Sequence, residues 1–185
     1  MTPAPFDDPA FCRRFDEMTQ RVYSIMDPGV NQQAACLYWS FAAVMAAKQM
    51  GLDRHGFDFQ MQGGTASFIR LAPEDDDGKE TTHNAFSYVF EDSPFTRMKI
   101  AMNELPEMHC WAACPRSGVF IDVTTRYAAA QCRDTAGMPW TAPEPPPFIM
   151  CHYSEIPEGF FYQADPQATQ VAHVYIQSWL NERGF

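Results

Sequence analysis

The chain has 185 residues, which is enough for one domain that buries a core without a metal or a disulfide framework. Hydrophobic residues make up 46% of the chain and aromatic residues 14%, a composition typical of a folded protein rather than a disordered one. The net charge of -10 comes from 23 acidic and 13 basic residues without a Lys/Arg cluster, so we expect no nucleic-acid partner.

The N-terminal stretch "MTPAPFDDPAFCRRF" lacks the basic and apolar regions of a signal peptide, and no apolar segment has membrane-spanning length. We therefore expect a soluble, cytoplasmic protein with no membrane partner, and leave export by a signal-independent route open. Cysteines spread over the chain without a secretory signal indicate free, mostly buried thiols. These are Cys12, Cys36, Cys110, Cys114, Cys132 and Cys151. We expect no cofactor, and the oligomeric state stays open.

Three helix starts are indicated by an acidic or hydroxyl residue followed by proline, because the first side chain caps free N–H groups and proline fits the first turn. They are Asp8-Pro9, Ser93-Pro94 and Asp165-Pro166. Apolar residues recur at helical spacing after the first and the third. This predicts an N-terminal helix over about 9–26 and a C-terminal helix over about 166–183, ended by Gly184, with a short helix after Ser93.

The segment 31–50, "NQQAACLYWSFAAVMAAKQM", is rich in alanine and apolar around most of its circumference, which predicts a buried central helix ended by Gly51. After it, "FDFQMQ", "TASFIRL" and "AFSYVFE" alternate apolar and polar residues as half-buried strands do, and "APEDDDGKETT" is a solvated turn between two of them. A proline-rich stretch predicts an extended surface segment over about 137–164. Helices separated from antiparallel strands indicate a single α+β domain over 1–185.

The stretch 107–126, "EMHCWAACPRSGVFIDVTTR", has a turn sequence, "PRSG", between two strand-like runs. In an antiparallel hairpin closed there, the numbers of paired residues sum to about 231 to 233, so His109 lies opposite Asp122 or Thr124. Side chains alternate between the two faces of a strand. One face therefore holds His109, Trp111, Phe120, Asp122 and Thr124. The other face holds Cys110, Ala112, Cys114, Val119, Ile121 and Val123.

The alternation of side chains between the two faces makes some roles of the hairpin more favourable than others. Zinc ligation by both His109 and Cys110 would need neighbours on opposite faces to converge, so a zinc-binding structural domain is the less favoured alternative. Cys110 and Cys114 are about 13 Å apart, too far for a bridge, and their apolar neighbours favour core thiols. An imidazole beside the carboxylate of Asp122 is either a structural hydrogen bond or a catalytic pair, and a nucleophile from a second element decides between them.

Cys36 is the candidate nucleophile, because it lies near the start of the predicted central helix. A helix N-terminus lowers the pKa of a thiol by placing partial positive charge and free N–H groups beside the thiolate, and the same groups can hold an oxyanion. Taken alone, the segment favours the simpler interpretation that Cys36 is a small apolar residue of a buried helix. The combination of Cys36 with the hairpin favours catalysis.

The order of these features resembles the transglutaminase-like superfamily of papain-like folds. The residues that carry the resemblance are Cys36, "MGLD" at 50–53, "HCW" at 109–111 and "GVFIDVTT" at 118–125, within about residues 31–125. The resemblance implies a papain-like core in which Cys36 is the nucleophile, His109 is its general base and acid, and Asp122 orients the imidazole.

The residues that stabilise the oxyanion or contact the substrate are left open by the sequence. The candidates are Gln32, Gln33, Tyr38, Trp39 and Trp111. His83, in "THNAF", is a rival histidine that ranks below His109 because no aspartate follows it in hairpin register.

A Cys-His-Asp triad would form an acyl-thioester at an amide bond of a protein or peptide substrate. Resolution by water gives a peptidase or amidase, and resolution by an amine gives a transglutaminase-type transferase; we favour hydrolysis. The chief alternative is a non-catalytic papain-like module for protein interaction, with an inert Cys36, which the acidic surface and the prolines at 143–147 also fit.

Overall fold

The computed structural model describes residues 5–30, 35–71, 82–137, 140 and 145–184, and within them the chain is α+β as predicted. The helices are α1 (Pro9–Met26), α2 (Cys36–Gln49), α3 (Pro94–Ala101), α4 (Ala128–Ala136) and α5 (Pro166–Arg183). The strands are β1 (Gln60–Leu71), β2 (Thr82–Tyr88), β3 (His109–Cys114), β4 (Val119–Asp122), β5 (Ile149–His152) and β6 (Phe160–Ala164). None of the described helices combines the length and the apolar character that crossing a membrane requires.

The predicted helix starts are confirmed by their caps. The carboxylate of Asp8 accepts a hydrogen bond from the N–H of Ala10, Ser93 accepts one from Thr96, and Asp165 accepts from two N–H groups at the start of α5. These bonds satisfy donors that a helix leaves unpaired at its first turn. The predicted bounds of α1 and α5 are confirmed as well.

The central helix is shorter than the predicted 31–50, because α2 begins at Cys36; residues 31–34 lie outside the described part of the chain. Gly51 follows it with a φ of 72°, a left-handed conformation that costs glycine no steric clash. Most of the helix is buried, as its alanine-rich sequence predicts, and one side with Tyr38, Phe41 and Met45 is half-buried. Its placement makes Cys36 a residue of the first helical turn.

The sheet is antiparallel and has the order β2-β1-β3-β4-β5, with β6 also paired to β1. The two strands predicted at 57–62 and 65–71 form one strand, β1, that continues through Gly63 and Gly64. Gly64 pairs with both His109 of β3 and Ala164 of β6. A Cβ on Gly64 would collide with the backbone of β6, so glycine is required for this close approach.

Two hydrophobic clusters lie on the two faces of the sheet. The first is formed with the helices α1, α2 and α5 and includes Cys110, Ala112 and Ile121. The second is rich in aromatic residues and includes Phe68, Trp111, Phe120 and Tyr162. Helix α2 therefore packs on the cysteine-bearing face of the hairpin, while the imidazole-bearing face belongs with the aromatic cluster.

The prediction that about 137–164 forms an extended surface segment is wrong for the residues that the structure describes. It contains β5 and β6, which complete the sheet, and residues 138–139 and 141–144 lie outside the described part. Each strand has only four or five residues and buries few of them, so neither shows the alternation that identifies a strand from sequence. Pairing with β4 and β1 provides the order that the local sequence does not predict.

Candidate active site

The hairpin of β3 and β4 has the larger of the two predicted registers. Ala112 pairs with Ile121 and Cys114 pairs with Val119, so the residue numbers sum to 233. The division into two faces is also confirmed, because Cys110 and Cys114 lie in the helix-facing cluster and Trp111 lies in the aromatic cluster. His109 and Asp122 consequently project into the aromatic side of the sheet.

His109 and Asp122 form a buried hydrogen-bonded pair. Nε2 of His109 lies 2.9 Å from Oδ2 of Asp122, and the two side chains are 0% and 1% exposed. The same carboxylate accepts bonds from the N–H of Thr124 at 2.7 Å, from the hydroxyl of Thr124 at 2.6 Å and from the hydroxyl of Tyr162 at 2.8 Å. Its two oxygens are fully engaged, which fixes the carboxylate and, through it, the imidazole.

Charge within this pair determines the protonation of both groups. Burial alone would raise the pKa of Asp122, but the positive charge and hydrogen bond of His109 and the bonds from Thr124 hold that pKa below its usual value. Burial works against a charged His109, yet the charge of Asp122 outweighs it and raises the pKa of His109 to about 10. The imidazole is therefore protonated at neutral pH.

Aromatic rings hold the imidazole of His109 in place. The ring of Tyr88 stacks on it with a centroid distance of 5.4 Å and an interplanar angle of 18°. Phe68 meets it edge-on at 5.7 Å, and Trp111 lies roughly parallel to it at 6.1 Å. Such packing leaves the imidazole few alternative rotamers, so its orientation is set before any substrate binds.

Cys36 is brought beside His109 by the start of α2. Its Sγ lies 3.9 Å from the carbonyl oxygen of Met108, the residue before His109. The pKa of Cys36 lies well below its usual value, first because the thiol of Cys110 donates a hydrogen bond to it, and then, against the cost of burial, because the imidazolium of His109 is near. Ala35 at the N-cap supplies no side-chain cap for the N–H groups in the first turn of α2.

The nitrogen of His109 that remains for the thiolate is Nδ1, because Nε2 is taken by Asp122. Nδ1 is buried and makes no hydrogen bond of ordinary geometry to the described residues. Cys36 is nevertheless close enough to contribute to the raised pKa of His109. The pair is thus in electrostatic contact with loose hydrogen-bond geometry, which is common in catalytic sites without a substrate.

The loop after β4 is tied to α1 by an ion pair. The guanidinium of Arg126 contacts the carboxylate of Asp16, and both side chains are largely shielded from solvent. Nε of Arg126 also donates to the carbonyl of Val123 at 3.0 Å. The backbone that carries Asp122 and Thr124 is therefore anchored to a helix outside the hairpin.

The three aromatic candidates for contacts with the oxyanion or the substrate have side chains that are engaged by other residues. The ring of Tyr38 packs against Trp179 of α5 at 5.3 Å, and Trp39 stacks on Tyr23 of α1 at 3.8 Å. The indole N–H of Trp111 is engaged by Gln62 and Tyr153. The structure thus brings Cys36, His109 and Asp122 together but directs these three aromatic side chains into packing.

The remaining candidates cannot be placed by their side chains. Gln32 and Gln33 lie outside the described residues. His83 lies in β2, but its side chain lies outside the described part of the structure. Among the described residues, the backbone N–H groups of Leu37 and Tyr38 lie in the first turn of α2, where a helix leaves donors without an intrahelical partner, and they are candidates to stabilise an oxyanion.

Sequence reasoning missed three residues of this site. Tyr162 donates a hydrogen bond to the carboxylate of Asp122 from β6, Tyr88 stacks on the imidazole of His109 from β2, and Cys110 is the leading cause of the lowered pKa of Cys36. No local pattern marks the two tyrosines, because they reach the hairpin through strand pairing. Cys110 was correctly predicted to be a core thiol, but its effect on the pKa of Cys36 depends on where α2 packs. Thr124 was placed correctly on the same face as Asp122 by alternation.

A metal site has no support among the residues described. Within 5–30, 35–71, 82–137, 140 and 145–184, no three side chains of His, Cys, Asp or Glu converge in a way that could hold a metal ion. Cys110 and His109 point to opposite faces of β3, as the alternation predicts. His109 is instead hydrogen-bonded to Asp122 and packed against aromatic rings.

Comparison of the chain with protein-family models, with curated proteins and with solved structures found no match. The case for a function therefore depends on the side chains of the site and on their charges. The site combines a thiol of lowered pKa, a protonated imidazole and a buried carboxylate that is bound to the imidazole. Thiol-based acyl transfer uses these three groups.

Proposed function

We propose that this protein is a thiol-dependent acyl-transfer enzyme that cleaves amide bonds of a protein or peptide substrate, with the papain-like core and the triad that its resemblance to the transglutaminase-like superfamily implies. Cys36 is the nucleophile, His109 is the general acid and base, and Asp122 orients and charges the imidazole. The observation that carries the proposal is the position of Cys36 at the start of α2 beside His109, whose Nε2 is bound to Asp122 at 2.9 Å.

The first half of the reaction follows from the protonation states. The Cys36 thiolate attacks the carbonyl carbon, a C–S bond forms, and the charge moves to the carbonyl oxygen. The N–H groups in the first turn of α2 stabilise this oxyanion. Nδ1 of His109 gives its proton to the leaving amine as the C–N bond breaks, and an acyl-thioester on Cys36 remains.

The second half reverses the roles. The now neutral His109 takes a proton from the incoming nucleophile, which attacks the thioester and releases the Cys36 thiolate. Water yields a carboxylic acid, and an amine yields a new amide. We favour hydrolysis, because it needs no second binding site for an acyl acceptor.

A second candidate is a non-catalytic interaction module, and the observation that favours it is burial. Cys36 is 8% exposed and His109 is 0% exposed. A substrate carbonyl must reach Cys36, so an enzyme of this kind needs access at the start of α2. In the module, the charged pair would be a structural feature of the core.

Alkylation of Cys36 distinguishes the two. The protein is treated with iodoacetamide at pH 6, and modified peptides are identified by mass spectrometry in the wild type, in His109→Ala and in the control Cys151→Ser, which removes a half-buried thiol outside the site. If the protein is an enzyme, Cys36 should be modified fast and selectively in the wild type and in the control, and this modification should be lost in His109→Ala. Equally slow modification in all three proteins would exclude the triad.

Acylation provides the direct test. An activated ester such as p-nitrophenyl acetate should release nitrophenol in a burst and leave an acetyl group on Cys36, as expected for a covalent intermediate. Cys36→Ser and Cys36→Ala should show no such burst. A burst with the acetyl group on another residue would contradict the assignment of Cys36.

A further inference from the structure

A cavity lies between the helices α1, α2 and α5 and is separate from the triad. Its volume is about 340 Å³, and its described lining is apolar or aromatic apart from Gln49. The lining includes Val22, Met26, Phe41, Met45, Trp179 and Leu180. Met45 lies about 13 Å from Cys36 along the axis of α2. The proposed acyl-transfer mechanism therefore does not use this cavity.

The cavity leaves apolar surface open to solvent. Ile25, which lines it from α1, is 69% exposed, and Phe41, Met45 and Trp179 are only partly buried. Covering such surface is favourable, and an open apolar patch often marks a binding site. The volume lies within the range of about 300–1,000 Å³ that is typical of small-molecule sites. A stable protein interface buries about 1,200–2,000 Å², so a cavity of this size suits a small molecule better than a protein surface.

The guanidinium of Arg183 is held beside this cavity by two of its walls. Its Cζ lies 4.8 Å from the centroid of the Trp179 ring. Its Nη1 donates to the backbone carbonyl oxygens of Asp27 at 2.8 Å and of Met26 at 3.5 Å. Both bonds use Nη1, and no carboxylate of the described residues lies within ion-pair distance of Arg183. The cation is thus fixed in position while its charge has no anionic partner in the described part of the chain.

We propose that this cavity binds a free medium-chain fatty acid, with the alkyl chain between α1, α2 and α5 and the carboxylate at Arg183. An apolar cavity with one cation beside it matches a ligand that has an apolar body and one negative charge. The N–H groups on Nε and Nη2 of the guanidinium are suited to a carboxylate, which arginine binds through two parallel hydrogen bonds. The net charge of -10 opposes the binding of an anion elsewhere on the chain, so this cation favours one site.

The experiment compares octanoate with 1-octanol, which has the same chain length and no charge. Each is titrated into the full chain, and binding is measured by isothermal titration calorimetry. Octanoate should bind saturably at one site, and 1-octanol should bind about tenfold more weakly, because it cannot form the charge-assisted bonds to Arg183. Cys36→Ala should bind octanoate as the wild type does. Binding is therefore tested independently of acyl transfer, and failure of the proposed function would leave the result unchanged.

Variants separate the contribution of the cavity from that of the charge. Met45→Trp fills the cavity and should abolish the binding of both compounds, whereas Gln170→Trp, on an exposed position of α5 that does not line the cavity, should leave both unchanged. Arg183→Gln should weaken octanoate about tenfold and leave 1-octanol unchanged. Ile25→Glu and Ile25→Lys change an exposed side chain at the cavity, so both variants should fold. The first should weaken octanoate and the second should strengthen it, with no change for 1-octanol.

The wild type alone can overturn the proposal. No saturable binding of octanoate below about 1 mM, or equal affinities for octanoate and 1-octanol, would exclude a fatty-acid site. Octanoate binding that is the same in Ile25→Glu and Ile25→Lys would place the ligand elsewhere. A dimer of the wild type that Ile25→Glu dissociates, without octanoate binding, would show that a second copy of the chain covers the cavity instead.

Discussion

His109 and Asp122 are 13 residues apart in the chain, and their side chains share a 2.9 Å hydrogen bond from which solvent is excluded. The bond uses Nε2, so Nδ1 is the nitrogen that the proposed mechanism assigns to the thiolate of Cys36. A carboxylate held by Thr124 and Tyr162 thereby sets the charge and the direction of the imidazole of His109. Each of these contacts can be tested by a single substitution.

Asp122→Asn should impair acyl transfer by about 10²–10⁴-fold, because the amide lacks the charge that keeps His109 protonated and can favour the wrong tautomer. Steady-state hydrolysis of an activated ester and the rate of Cys36 alkylation at pH 6 measure this loss. Asp92→Asn is the control, because its ion pair with Arg97 is exposed and lies outside the triad. Equal rates in the wild type and Asp122→Asn would show that the carboxylate has no catalytic role.

Tyr162→Phe should lower the free energy of unfolding by about 1.5–3 kcal/mol, the usual range for a hydrogen bond to a charged group. The lost bond is the one that Tyr162 donates to Oδ2 of Asp122 at 2.8 Å. Tyr23→Phe is the matched control, because its buried hydroxyl has no hydrogen-bonding partner among the described residues. Urea unfolding of both variants gives the comparison, and an equal loss in the two would mean that the bond contributes nothing specific.

The dependence of the free energy of unfolding on pH is set in part by the thiolate of Cys36 and the imidazolium of His109. The folded pKa of His109 is raised from 6.5 to about 10, so its contribution is full below 6.5 and is lost as the pH rises through about 10. The folded pKa of Cys36 is lowered from 9.0, so its contribution is full above 9.0 and is lost as the pH falls through that lowered value. Between about pH 7 and 8.5 the folded and unfolded pairs each hold one proton, so the two effects cancel and the free energy of unfolding stays nearly flat.

Cys36→Ala removes one side of this balance. The free energy of unfolding should then fall as the pH rises from about 7 to 8.5, with a slope that approaches about 1.4 kcal/mol per pH unit, because the folded state alone retains the proton of His109. Urea titrations at several pH values measure the slope, and Cys114→Ala should shift the curve without tilting it. Parallel curves for the wild type and Cys36→Ala would rule out the ion pair.

Gly64→Ala should destabilise the fold by about 1–3 kcal/mol, the usual cost of overpacking a tight site. The added Cβ would press on the backbone carbonyl of Gln163 and lie 3.0 Å from Cα of Ala164, where β1 and β6 pair. Gly137→Asn is the control, because that position has open space and asparagine tolerates its φ of 66°. Thermal unfolding should show a clear loss for Gly64→Ala alone; two equal melting temperatures would contradict the close approach.

The sequence by itself determined what depends on neighbouring residues. Asp8, Ser93 and Asp165 identified helix starts because a cap is made within three residues. Period-two alternation placed His109 with Asp122 and separated both from Cys110, since a strand leaves its side chains no other choice. The turn "PRSG" limited the register to two values, of which the structure has one.

Only the tertiary structure decided what depends on residues far apart in the chain. The approach of Cys36 Sγ to the carbonyl oxygen of Met108 follows from how α2 packs beside β3, and the bond from Tyr162 follows from the pairing of β6 with β1. The short strands β5 and β6 have little alternation of their own and are ordered by their partners. Local sequence fixes caps, faces and turns because these energies are local, whereas the protonation of Cys36 and His109 depends on burial and on charges brought together by folding.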